Sequence, residues 1–464
     1  MNATFSIKIT ILIACLLSST ECSFGQSILD KIDKGLKSGN NITNSLNTLT
    51  LGVNRLSNSV KRTTREFNET VRVVKGNDYD RINKIPKSQI NEIKIKKGKI
   101  QNLDWEPFVS LNNQLFPSAI VTLSGYRGGA TPELESIIRP IGITFKSKNE
   151  NISIKWEIEC TDKRFFDKLS GYCLYDRPRQ SILCNPEIPW NIDVLAKQDV
   201  STPVNIIFRL YDEENNKVEK TTSVYMRSID DCIRLYNGTD LRFLYTAYVQ
   251  EEHPEIRKIL KEATDTKIVT SIDGYGAENS PQSVDYQVAA IWKVLHDRGI
   301  NYSSITTTAG GNKSNISSQV VRTFDKSIND KQANCVDGTV VFASILRKIG
   351  IHTVMMIVEG HCFLGYYRKR DNKEGKRQDL VFLETTVLDG DELINEATAK
   401  AKKTKNRQKA LEIIKKGYIN QFYYAQYMGL EAYKENKEND TIYDMIDVDK
   451  QRENMTRPLP FYSK

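Results

Sequence analysis

The sequence predicts a multidomain α+β protein: an N-terminal helix or coiled coil, an antiparallel β-sandwich, then a C-terminal α+β domain. Three observations point there. Apolar residues recur in steps of four and three from Ile42 to Val60, short alternating runs fill the middle of the chain, and Val336 to Ile349 is apolar almost all round. These are the signatures of a heptad seam, of half-buried strands and of a buried helix. A chain of 464 residues has room for two or three such units, at about 100–200 residues each. With 39% hydrophobic residues it is too apolar for wholesale disorder. A net charge of +8 is a mild excess at this length; nucleic-acid binding would need that charge gathered on one face.

Residues 1–25 read as a secretory signal, with Lys8 before the apolar run Ile9 to Leu17 and Ser23-Phe24-Gly25 ahead of a cut at Gln26. A competing reading lipidates Cys15 after Leu12-Ile13-Ala14, though the apolar run before it is short. No later segment approaches 18 apolar residues, so the expectation is an exported chain that meets a membrane only if Cys15 is lipidated.

Residues 26–96 form the predicted helical segment and linker. The seam could oligomerise the chain, dock as a single amphipathic helix or remain a partly ordered linker; Gly39 and Gly52 weaken it. Residues 97–235 carry the predicted β-sandwich. Ile152-Ser153-Ile154-Lys155-Trp156-Glu157-Ile158 alternates for a full strand, and Val204 to Leu210 and Ser223 to Met226 flank the hairpin turn Asp212 to Asn216. Export would permit disulfides. Of the pairings open to Cys160, Cys173, Cys184 and Cys232, the preferred one is Cys173–Cys184 with Cys160–Cys232.

Residues 236–464 hold the chemistry. Val284, Val288, Ile291, Trp292 and Leu295 mark one helix face, and Thr353–Val358, His361–Tyr367 and Leu380–Thr385 are strand-like. Cys335 opens the buried helix. A thiol there feels the positive end of the helix dipole, which favours the nucleophilic thiolate, and the free N–H groups nearby can stabilise an oxyanion.

His361 is the best placed of four histidines to serve as base. It follows Gly360 and begins a strand whose inward face reads His361, Phe363, Gly365, Tyr367, which sends Cys362 to the other face as a buried neighbour. If Tyr367 pairs with Gln378, a bulge-free hairpin sets Glu384 directly across from His361. Glu384 would then orient the imidazole, and a one-residue slip would turn it away. Asp389 is the reserve, in a sequence that reads as a turn and helix cap.

Cys335 at the helix start, Phe342-Ala343-Ser344-Ile345-Leu346-Arg347-Lys348-Ile349-Gly350-Ile351, Gly360-His361 and Leu383-Glu384-Thr385-Thr386 together resemble the bacterial transglutaminase-like superfamily. The resemblance covers about 241–390 and implies a papain-like fold with Cys335 as nucleophile, His361 as base and Glu384 as orienting acid. The sequence departs from that pattern at Ala333, at Cys362-Phe363 and in having Glu384 where Asp is usual. Gln332 is a weaker candidate for an oxyanion donor, its spacing to Cys335 being short.

The resulting expectation is an exported cysteine peptidase, amidase or acyl transferase. It would act through a Cys335 thioester on protein or peptide, in or near the cell envelope. The alternative is a catalytically inactive transglutaminase-like fold that binds or scaffolds there. No cofactor, metal site or nucleic-acid partner is expected; the basic stretch Lys400 to Lys416 reads as a solvated helix face, with the aromatics after it packing.

Overall fold

The computed structural model describes Ile100 and residues 103–461 apart from short segments at 127–128, 130, 147–151, 176–180, 213, 277–279, 304–314 and 371–376. The signal-like residues 1–25, Cys15 and the helical segment 26–96 lie outside the described residues. What is described is a mixed α+β fold with several sheets. One apolar core runs through it from Trp105 to Leu459.

The first half contributes β1 (Asp104–Val109), β2 (Gln114–Leu115), β3 (Ile141–Lys146), β4 (Ile152–Cys160), β5 (Leu169–Tyr175), β6 (Ser181–Cys184), β7 (Thr202–Tyr211) and β8 (Lys217–Met226). They form a five-stranded sheet ordered β2-β8-β7-β4-β5 and a three-stranded sheet ordered β1-β3-β6. β7 shows why alternation specifies a strand: Val204, Ile206, Phe208 and Leu210 are all buried along one face. The β7–β8 hairpin closes because the Asp212 carboxylate accepts from the backbone N–H of Glu214 (3.0 Å) and Asn216 (2.9 Å). Asn215 takes the left-handed conformation at φ 60, which Asn tolerates. The sheet is not wholly antiparallel, since β2 pairs with β8 in parallel.

The expected disulfides are not formed. Cys160, Cys173, Cys184 and Cys232 are all buried, and none is at disulfide distance from another. Cys173 lies in β5 opposite Ile154, whereas Cys184 lies in the other sheet opposite Ile143, and Cys160 faces Ile206 in β7. Each sits in the core as a small apolar side chain. Desolvation pushes the Cys160 thiol up to about 11 and raises Cys232 further.

The second half opens with β9 (Asp231–Tyr236) and β10 (Thr239–Asp240), then the helices α1 (Pro254–Asp265) and α2 (Pro281–Asp297). Next come β11 (Asn301–Tyr302), β12 (Ile316–Val320), α3 (Phe324–Asp330), β13 (Gln332–Ala333) and α4 (Cys335–Lys348). β9 lies between β10 and β12 in one small sheet, and β11 pairs with β13 in another. The chain continues through β14 (Thr353–Val358), β15 (His361–Arg370), β16 (Arg377–Leu383), α5 (Glu392–Lys402), α6 (Arg407–Glu438), β17 (Ile442–Asp447) and α7 (Val448–Glu453). Its main sheet is ordered β16-β15-β14-β17.

That sheet is covered on both faces. Cys362, Leu364, Tyr366, Met355 and Ile357 share a core with the buried side chains of α4. The alternate residues Val354, Met356, Val358, Phe363 and Phe382 form a second cluster with Tyr433 of α6, whose ring stacks on Phe382 at 4.4 Å. The face that the sequence marks as inward, with Phe363 and Tyr367, packs toward α6. Strand parity was readable, but which helix covered which face was not.

α6 approaches the sheet closely at Gly429. A Cβ there would lie 2.8 Å from both Leu383 N and Phe382 C, so a glycine is needed for contact with the backbone of β16. The basic stretch from Lys400 to Lys416 covers the end of α5 and the start of α6 and is mostly exposed. Of the aromatics that follow, Tyr418 and Phe422 are buried, whereas Tyr423, Tyr424 and Tyr427 face outward.

Candidate active site

Cys335 is the first residue of α4. The helix starts there because Asn334 caps it: its carboxamide oxygen accepts from Val336 N and Asp337 N, both at 2.9 Å. The Asp337 carboxylate returns the bond to Asn334 N (2.9 Å), completing a capping box. Asp337 is fully buried and also takes the Arg322 N–H and guanidinium, each at 2.7 Å. Gly338 N donates to Asn334 O. The cap thus occupies the N–H groups of Val336, Asp337 and Gly338, the three that follow the cysteine. Cys335 itself is partly exposed, unlike every other described cysteine.

His361 starts β15 just after Gly360, which turns the chain from β14 at φ 69. Its Nε2 lies 2.7 Å from Glu384 Oε2. Cys335 and His361 line the same cleft, and with Nε2 on the carboxylate, Nδ1 is the ring nitrogen that Glu384 does not engage. Burial opposes the imidazolium most strongly, but the bonds to Cys335 and Glu384 and the charges behind them outweigh it and lift His361 to about 10.

Glu384 is 6% exposed. Burial raises its carboxyl, yet the His361 contact and the Thr386 hydrogen bonds win and hold it below the ordinary value. Its Oε1 accepts from Thr386 N (3.0 Å) and Thr386 Oγ1 (2.6 Å), while its backbone N–H donates to Ala425 O of α6 (3.0 Å). Both carboxylate oxygens are therefore fixed, one to the turn and one to the imidazole.

The pairing expected from the hairpin is shifted. Tyr367 faces Leu380, not Gln378, and the ladder continues to Arg370 opposite Arg377. The charged residues read as loop extend both strands, with Arg368 held between Asp285 (3.2 Å) and Asp379 (2.7 Å). The shift is two residues, so the face is kept. Glu384 lies past the last pair and reaches His361 diagonally from the turn Thr385–Val387.

Cys335 and His361 line a cleft of about 690 Å³, together with Tyr302, Tyr245, Gln319 and Arg234, while Glu384 is buried against His361. Gln332 does not line it. It is exposed on β13, paired to Asn301 of β11. Two carboxamides line the cleft, that of the cap residue Asn334 and that of Gln319 of β12, whose Oε1 accepts from Tyr245 Oη at 3.1 Å. Sequence reasoning missed Gln319 and Tyr245 because they reach the site through tertiary contacts, from a short strand and a 3-10 turn with no motif. Asp389 accepts from Tyr302 N (3.1 Å) and so anchors β11.

The other histidines also meet carboxylates: His253 with Asp325 (2.8 Å), His296 with Asp391 (2.8 Å) and His352 with Asp449. A His–carboxylate contact is therefore not distinctive in this chain; only that of His361 adjoins a cysteine in a cleft. Cys362 is buried, 3.7 Å from Thr339 Oγ1, with desolvation raising its thiol well above the ordinary value. Among the described residues no group of His, Cys and carboxylate side chains could hold a metal ion, and no helix is long and apolar enough to cross a membrane. No protein-family model matches the chain, and no curated protein matches its sequence.

Proposed function

We propose that this protein is a cysteine-dependent acyl-transfer enzyme of the transglutaminase-like, papain-like class, with Cys335, His361 and Glu384 as its triad. The reading rests on one observation: the imidazole of His361, held 2.7 Å from the Glu384 carboxylate, lines the same open cleft as the partly exposed Cys335 at the start of α4. In the reacting state the thiol proton resides on His361, and Glu384 stabilises the imidazolium. The Cys335 sulfur attacks an amide carbonyl, and the Cys335 N–H with the Gln319 carboxamide stabilises the oxyanion.

The C–N bond breaks as His361 gives its proton to the leaving amine, and an acyl-Cys335 thioester remains. Water, or a second amine, then attacks the thioester while His361 takes a proton, releasing the acyl product and the thiol. Hydrolysis is preferred because water reaches an open cleft without a dedicated acceptor site. On the signal-like residues 1–25 we take the chain to be exported, with protein or peptide of the cell envelope as substrate and 26–96 as an oligomerising or spacer segment.

The test is to incubate the full chain and Cys335→Ala with a panel of peptide amides and look for acyl-enzyme by intact-mass spectrometry. A mass increment on Cys335, accumulating in His361→Ala when a reactive ester bypasses the first step, supports the reading. Peptide binding with no increment on any substrate would return the fold to a binding or scaffold role.

A further inference from the structure

The cleft has a charge asymmetry that the acyl-transfer chemistry does not require. Among the described residues that line it are two guanidinium groups, Arg234 and Arg242, and no carboxylate. The two arginines differ in their partners. Arg242 is paired bidentately with Asp240, at 2.9 and 2.5 Å, and lies over the Tyr443 ring at 4.4 Å. Arg234 donates its Nε to the Ser317 hydroxyl (2.5 Å) and meets no carboxylate among the described residues. It is only partly exposed, on β9, where the neighbouring strand β12 supplies Ser317 and Gln319 to the same cleft.

A partly buried cation without a counter-charge is unfavourable unless something supplies one. The unused edge of a guanidinium is a planar pair of donors matched to a carboxylate. Leu235, Tyr302 and Tyr443 give the rim an exposed apolar surface. Building on Cys335 as nucleophile, we infer that the cleft selects an acidic peptide, with Arg234 binding the carboxylate of a Glu or Asp near the scissile amide. Arg234 is a specificity determinant and takes no part in bond making.

The experiment compares Cys335 alkylation by anionic iodoacetate and neutral iodoacetamide in the full chain, read by peptide mass spectrometry. The quantity of interest is the ratio of the two rates. It is expected to fall about threefold or more in Arg234→Gln, to be kept in Arg234→Lys, and to fall in the wild type as salt rises from about 0.02 to 0.5 M, as for one charge acting across a cleft. An acetylated Ala-Glu-Ala amide should protect Cys335 from iodoacetamide at lower concentration than its Gln isostere. Equal ratios in wild type and Arg234→Gln with no salt dependence overturn the anionic subsite; equal protection by the two peptides overturns the peptide assignment. Should Arg234→Gln not fold, the wild-type salt dependence decides. Slow iodoacetamide labelling that ignores His361→Ala defeats the nucleophile itself, an outcome separate from either ratio.

Discussion

His361 and Glu384 meet at 2.7 Å although they are not cross-strand partners. The carboxylate reaches back from the cap position of the 3-10 turn Thr385–Val387, its other oxygen tied to Thr386, so the pair depends on where β16 ends. Glu384→Gln keeps the shape and removes the charge. It should lower activity about 10²–10⁴-fold, by analogy with neutralising the acid of other triads, and lower the pH at which His361 loses its proton. A histidine-resolved NMR titration of both proteins checks this.

The same pair predicts how stability responds to pH. His361 is raised from 6.5 to about 10 in the folded protein, so the folded state holds a proton that the unfolded state releases. Its contribution is fully present below about 6.5 and is lost as pH rises through about 10. Urea unfolding between those limits should show stability declining with pH, and a shallower decline in His361→Gln.

The cap of α4 sets the nucleophile's position. Asn334→Ala removes the acceptor for two N–H groups and should cost about 1 kcal/mol. Asp337→Ala leaves Arg322 without its fully buried partner and should cost about 3–5 kcal/mol. Denaturant midpoints of the two variants give the order.

Gly429 links α6 to the site. An added methyl would meet Leu383 N and Phe382 C at 2.8 Å and Glu384 N at 3.1 Å. Gly429→Ala should therefore cost about 1–3 kcal/mol by overpacking, and it should displace Glu384 enough to slow Cys335 alkylation, whereas Gly350→Ala, with open space around its Cβ, should affect stability alone. Parallel stability and labelling measurements separate the two effects.

How far the sequence reached follows from which information is local. The helix beginning at Cys335 was legible because its apolar residues and the Asn334-to-Asp337 cap lie within one stretch. β14 was read to the residue because it is a buried run bounded by turns. The hairpin register was off by two because Lys369 and Arg370 look like loop and yet stay paired. The even shift preserved the face and so brought Glu384 to His361 all the same. The disulfide expectation failed because compartment and spacing say nothing about which sheet each thiol enters. Gln319, Tyr245 and Arg234 were invisible for the same reason, since only tertiary packing brings β9, β12 and the turn between them to the cysteine.

Activation of the Cys335 thiol is read from its rate of alkylation by iodoacetamide at neutral pH. Cys335 should react well ahead of the five buried cysteines, and about tenfold or more slowly in His361→Ala. Slow labelling of Cys335, equal in the wild type and His361→Ala, would contradict it.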